Sequence, residues 1–115
     1  MKLYILAVCL ASLAATPAFA HATLLESSPT ANSTVATAAV IDLTFSEEIT
    51  SDVGVSLTHS GKSVALDPVA LATNYSVVTV SPKSPLAPGR YTVKWHNTSR
   101  DDGHKASGSF SFTVQ

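Results

Sequence analysis

Histidine is the residue type that gives this chain its chemistry. Four are present, His21, His59, His96 and His104, and imidazole is a common ligand for transition metals. Position singles out His21. It follows Ala18-Phe19-Ala20, a small-x-small box of the kind that closes a secretory signal. Cleavage after Ala20 makes His21 the amino terminus. Its α-amine and its Nδ1 can then close a six-membered chelate on one metal ion, whereas an internal histidine offers only its ring. Processing itself thus creates two nitrogen donors.

A second group lies near the other end, in Arg100-Asp101-Asp102-Gly103-His104. Asp102 and His104 are two residues apart, and Gly103 allows a turn that aims both side chains at one point. The same five residues also suit a plain polar turn with an Asx-type hydrogen bond, so the spacing alone leaves both readings open. Together with the terminal chelate, Asp102 and His104 make three nitrogens and one oxygen. Sulfur is absent from the expected mature chain, because its lone cysteine and lone methionine are Cys9 and Met1. Nitrogen and oxygen donors suit tetragonal Cu(II) and not Cu(I), and Cu(II) outranks Zn(II) at equal availability. His59, at a hairpin turn, and His96, opposite Trp95 on its strand, are expected to face solvent.

The elements that must position these donors are all strands. Residues 1–20 read as a signal peptide, with Lys2 as the basic start and Leu3 to Ala15 as an apolar run too short to span a bilayer. The remainder, 21–115, is expected to form one exported domain. Without Lys2 it carries six basic residues against eight acidic ones, which argues against nucleic acid or an anionic membrane as main partner. Ala22 to Glu26 predicts a first strand. Ile41 to Phe45, Val53 to Leu57, Val64 to Leu66, Tyr75 to Val80, Tyr91 to Trp95 and Phe110 to Val114 predict six more, several by strict apolar and polar alternation. Ser60-Gly61 predicts a tight turn. Leu86-Ala87-Pro88-Gly89-Arg90-Tyr91 has the form of a tyrosine corner. Trp95 belongs in the core, Asp101 pairs with Arg100 or with water, and Ala36 to Ala39 allows a helical turn at most. The expected class is all-β: a seven-stranded Greek-key sandwich or barrel, immunoglobulin-like or cupredoxin-like.

Over nearly its whole mature length the chain resembles the CopC family of periplasmic copper-binding proteins. The resemblance rests on His21-Ala22 after the Ala-x-Ala box, Ser27-Ser28-Pro29, Leu43-x-Phe45-Ser46-Glu47 and Pro88-Gly89-x-Tyr91-x-Val93-x-Trp95. It ends with Asp102-Gly103-His104 and Gly108-x-Phe110-x-Phe112. It implies one Cu(II) per chain, held by His21, Asp102 and His104, with Glu47 beside the metal or weakly axial. It also implies a periplasmic role in copper resistance and homeostasis, as a carrier or buffer, and a CopD-like importer in the inner membrane as partner. Some members carry a methionine-rich segment for a second, Cu(I) site. Gly61 to Asn74 has no methionine, so that site is expected to be missing.

Three functions of different class are compatible with these residues: a non-catalytic Cu(II) binder, a copper monooxygenase built on a terminal histidine, and a metal-free exported interaction module. Four filled donor positions favour holding the ion over chemistry on it, which makes the first the leading reading and the chain not an enzyme.

Overall fold

The computed structural model describes residues 21–115. The proposed signal peptide, residues 1–20, lies outside them. The described residues contain nine strands and no helix: β1 (Leu24–Ser28), β2 (Thr34–Val35), β3 (Ile41–Phe45), β4 (Gly54–His59), β5 (Lys62–Ser63), β6 (Ala70–Leu71), β7 (Val77–Val80), β8 (Gly89–Thr98) and β9 (Lys105–Val114). They form two sheets, of order β1-β3-β7-β6 and β2-β9-β8-β4-β5. All pairings are antiparallel except that of β2 with β9.

Alternation decides which residues fill the space between the sheets. Ile41, Leu43 and Phe45 of β3, and Tyr91, Val93 and Trp95 of β8, are buried together with Val78, Val80, Phe112 and Val114. These are the inward positions of period-2 strands. Trp95 meets Phe45 edge to face at 5.1 Å, and Tyr91 stacks on Phe112 at 5.6 Å. The tyrosine corner is present: the Tyr91 hydroxyl donates to the Ala87 carbonyl at 2.7 Å. Ser60 and Gly61 both have positive φ, 51° and 76°, and close a two-residue hairpin that pairs His59 with Lys62, as a primed turn requires.

The all-β sandwich is as expected, with nine strands in place of seven because two short edge pieces, β2 and β6, pair as well. Several boundaries move. The first strand starts at Leu24, since Ala22 is spent in the core and its flanks on loop contacts. The return strand after Ser60-Gly61 is only Lys62–Ser63, and Leu66 makes just an isolated bridge to Pro82. Tyr75 is not in the strand that follows. It sits at positive φ, 59°, in a turn whose carbonyl accepts from the Ile49 amide, and is 40% exposed. Ala36 to Ala39 forms bends with no helical turn.

His59 is a correction too. It is half-buried, stacked on Tyr91 at 4.4 Å, and it lies across Gly89, where a Cβ would fall 2.4 Å from its Nε2. A ring over bare glycine backbone gains contact that solvent does not offer. His96 is exposed, as expected from its side of β8.

Candidate metal centre

The segments that carry the candidate donors come from both sheets. Residues 21–23 lead into β1, Ser46 and Glu47 follow β3, and Asp102 and His104 lie in the hairpin between β8 and β9. That hairpin is closed by two backbone bonds, from the Ser99 amide to the His104 carbonyl at 2.7 Å and from the Gly103 amide to the Ser99 carbonyl at 3.0 Å. Gly103 has φ 71°, a left-handed conformation that favours glycine. Neighbouring bonds tie the hairpin to the loop after β3: the Arg100 amide donates to Glu48 at 2.9 Å and the Thr50 amide to Thr98 at 2.9 Å.

Residues 21–23 are pinned by hydrogen bonds to the loop after β3. The Ser46 hydroxyl donates to the His21 carbonyl at 3.2 Å and accepts from the Thr23 amide at 2.9 Å and the Thr23 hydroxyl at 3.1 Å. One hydroxyl thereby uses its single proton and both lone pairs. The Ser46 amide donates to the Thr23 carbonyl at 2.8 Å, and Ala22 is fully buried. Across the sandwich the Asn97 side-chain Nδ2 donates to the Ala22 carbonyl at 3.0 Å. Residue 21 therefore sits at the mouth of the sandwich, beside the β8–β9 hairpin.

The consequence is that the imidazoles of His21 and His104 lie together, ring centroids 5.5 Å apart and tilted by 40°. Two imidazoles on one ion at about 2.0–2.1 Å place their centroids about 4.4 Å apart when cis and about 6.2 Å apart when trans. The observed separation falls between these limits. Asp102 adjoins the pair through the chain, its Oδ1 accepting from the His104 amide at 3.0 Å. This is the Asx turn that the sequence allowed, and it leaves lone pairs on a group with about four acceptor sites. That amide is the main cause holding the Asp102 carboxyl below its ordinary value. Partial desolvation opposes it, while the Ser99 hydroxyl and the charge of the His104 ring assist.

Glu47 stands one step away. Its Oε2 accepts from the Ser99 hydroxyl at 3.3 Å, and it is half-buried. Among the described residues no three His, Cys, Asp or Glu side chains converge as one group able to hold an ion. The geometry thus unites His21 with His104, sets Asp102 against the His104 backbone and puts Glu47 on Ser99, without a single preformed cage. Arg100 does not pair with Asp101: its guanidinium lies 3.8 Å over the Tyr75 ring, a cation–π contact.

Asn97 and Ser99 were missed by reasoning from ligand types. Both are fully buried polar residues, 1% and 0% exposed. The signal was available in strand parity, since 97 and 99 continue the inward series of Tyr91, Val93 and Trp95. An Asn in that series is costly unless paired, because a buried unmet polar atom costs about 1–3 kcal/mol. Ser46, by contrast, is exposed and carried no sequence signal beyond its place in Phe45-Ser46-Glu47.

A two-sheet sandwich with an imidazole pair at one mouth, and no cysteine or methionine among its described residues, defines an all-β domain with a nitrogen and oxygen donor set. Residues 24–115 match the CopC domain. The chain is 35% identical over 113 residues to "Copper resistance protein C" of Xanthomonas campestris pv. juglandis, covering 91% of this chain and 88% of that protein. It is 33% identical over 116 residues to "Protein YobA" of Escherichia coli strain K12, covering 97% and 93%. Among solved structures it superposes on PcoC, a methionine-rich copper resistance protein from Escherichia coli, with TM-score 0.76 and 36% identity, over 84% of this chain and all of that one. CopC from Methylosinus trichosporium OB3b gives TM-score 0.73 at 30% identity, over 83% and 94%. The chain belongs to the CopC family, and its sandwich is of the cupredoxin-like class.

Proposed function

We propose that this protein is a Cu(II) carrier or buffer of the periplasm, exported by its signal peptide and serving copper resistance and homeostasis. The metal is its cargo, one ion per chain. His21, through its α-amine and Nδ1, and His104, through its ring, supply three nitrogens, and Asp102 supplies an oxygen. Glu47 acts beside this set, as a weak axial donor or by orienting the loop through Ser99.

The observation that carries the reading is the approach of the His21 and His104 rings to 5.5 Å from opposite ends of the chain. The donors fit the ion: imidazole, amine and carboxylate suit Cu(II), and no thiolate or thioether is present among residues 21–115 to favour Cu(I). Of the relatives, PcoC is called methionine rich, whereas this chain has methionine only at position 1. A second, Cu(I) site of the methionine kind is therefore not part of the reading. The protein holds copper without transforming a substrate, and hands it to a CopD-like importer in the inner membrane.

The test is an EPR spectrum of the processed, copper-loaded protein beside its His21→Ala and His104→Ala variants. The wild type is expected to bind one Cu(II) with three nitrogens. Each variant is expected to lose nitrogen hyperfine coupling and weaken binding by at least tenfold. Unchanged spectra in both variants would refute the assignment.

A further inference from the structure

Asn97 raises a question that its strand position does not answer. It occupies an inward site of β8 two residues beyond Trp95, is 1% exposed, and donates through Nδ2 to the Ala22 carbonyl. Its Oδ1 is buried with no hydrogen-bond partner among the described residues. Buried polar atoms without partners are uncommon, and one in contact with a candidate site calls for a partner. The carbonyl that Nδ2 holds belongs to the residue next to His21. Cleavage before His21 changes that neighbour's nitrogen from an amide with one hydrogen to an amine. Coordination of the amine uses its lone pair and leaves two N–H groups that still donate.

We propose that Asn97 is the positioning residue of the amino-terminal chelate: Nδ2 fixes the Ala22 carbonyl, and Oδ1 accepts from the α-amine that processing creates. This rests on the copper reading above. With Ser46 gripping the His21 carbonyl and Asn97 gripping that of Ala22, the first two peptide units cannot swing. Chelation then meets little loss of chain entropy, which is how preorganisation raises affinity.

The test compares four proteins: wild type and Asn97→Leu, each with His21 as first residue and each with one alanine added ahead of it. Cu(II) affinity is read by competition with a chromophoric chelator, and ligation by EPR. With His21 terminal, Asn97→Leu is expected to weaken Cu(II) binding about tenfold and to broaden the copper spectrum, as expected for losing a hydrogen bond to a ligand. With the added alanine, the same substitution is expected to change affinity less than twofold. An equal loss in both backgrounds would overturn the role of Asn97 and leave the copper reading standing. Equal affinity of the two wild-type forms would overturn the terminal chelate and the role of Asn97 with it. Should the leucine variant not fold, the side-chain amide resonances of Asn97 in ¹⁵N-labelled wild type provide the second measurement. They are expected to shift between the two forms, and coincident resonances would overturn the proposal.

Discussion

Replacing Gly108 by alanine tests the packing that supports the β8–β9 hairpin. Gly108 pairs with Trp95 in the ladder, and the indole occupies the space that a side chain at 108 would take. An alanine Cβ would fall 2.5 Å from Cζ2, 2.8 Å from Cε2 and 3.1 Å from Nε1 of Trp95. Ordinary contact lies well beyond these distances, so the ring must retreat by about 1 Å in an interior packed like a crystal. Its retreat is blocked by Phe45, 5.1 Å away centroid to centroid. Overpacking of this kind costs about 1–3 kcal/mol. Against it stands the lower chain entropy of alanine in the unfolded state, worth about 0.4–1 kcal/mol where the backbone tolerates the change. The steric loss wins, for a net destabilisation of about 1–2 kcal/mol. In a domain of this size that lowers the melting temperature by about 5–15 °C. Thermal unfolding followed by circular dichroism and by the emission of the single tryptophan measures both the stability and the ring's displacement. A melting temperature equal to or above wild type, with unchanged emission, would show that the indole is not locked against Gly108. Gly61→Ala is the comparison: nothing stands within 4 Å of its Cβ but φ is 76°, so only backbone strain of about 1–2 kcal/mol applies and the emission stays as it was.

Other outcomes follow from the site and the corner. Cu(II) affinity of the processed protein should fall steadily from about pH 7 to 5, because protons compete for imidazole and amine; a flat titration by chelator competition would exclude histidine ligation. In the metal-free protein Asp102 should titrate below 3.8 in a carboxyl NMR experiment, since its folded value is lowered by the His104 amide. By linkage its stabilising contribution is present above 3.8 and is lost as the pH falls through the lower folded value; a midpoint at or above 3.8 would contradict the Asx turn. Tyr91→Phe removes the 2.7 Å bond to the Ala87 carbonyl and should cost about 0.5–1.5 kcal/mol in denaturant unfolding, and an unchanged midpoint would show that the corner adds no net stability.

The strands that carry the core were legible because both faces of the pattern survive in them. Tyr91 to Trp95 and Phe110 to Val114 alternate cleanly, and the alternation is the burial pattern observed. The short turn at Ser60-Gly61 and the corner at Tyr91 were legible from local chemistry alone. Tyr75 was misread because an aromatic before Val77-Val78 looks like strand, while its positive φ and the Arg100 guanidinium over its ring are long-range facts. His59 was misread for the same reason: its stacking partner Tyr91 and the open backbone of Gly89 are brought to it only by the pairing of β4 with β8. At the candidate site, ligand types drew attention to His21, Asp102 and His104. The residues that hold them in place, Ser46, Asn97 and Ser99, bear no metal-binding chemistry, and their contacts span 23 to 75 positions of chain.

The paired rings have a mechanical consequence. His21 enters through the sheet that begins with β1, and His104 belongs to the hairpin of the opposite sheet. An ion gripped by both is a rivet through two layers, in a domain that has no cystine to do that work. On the copper reading proposed above, prising the layers apart at this mouth and releasing the ion would be the same movement, so an acceptor would take it by levering one lip of the sandwich rather than by outcompeting each donor in turn.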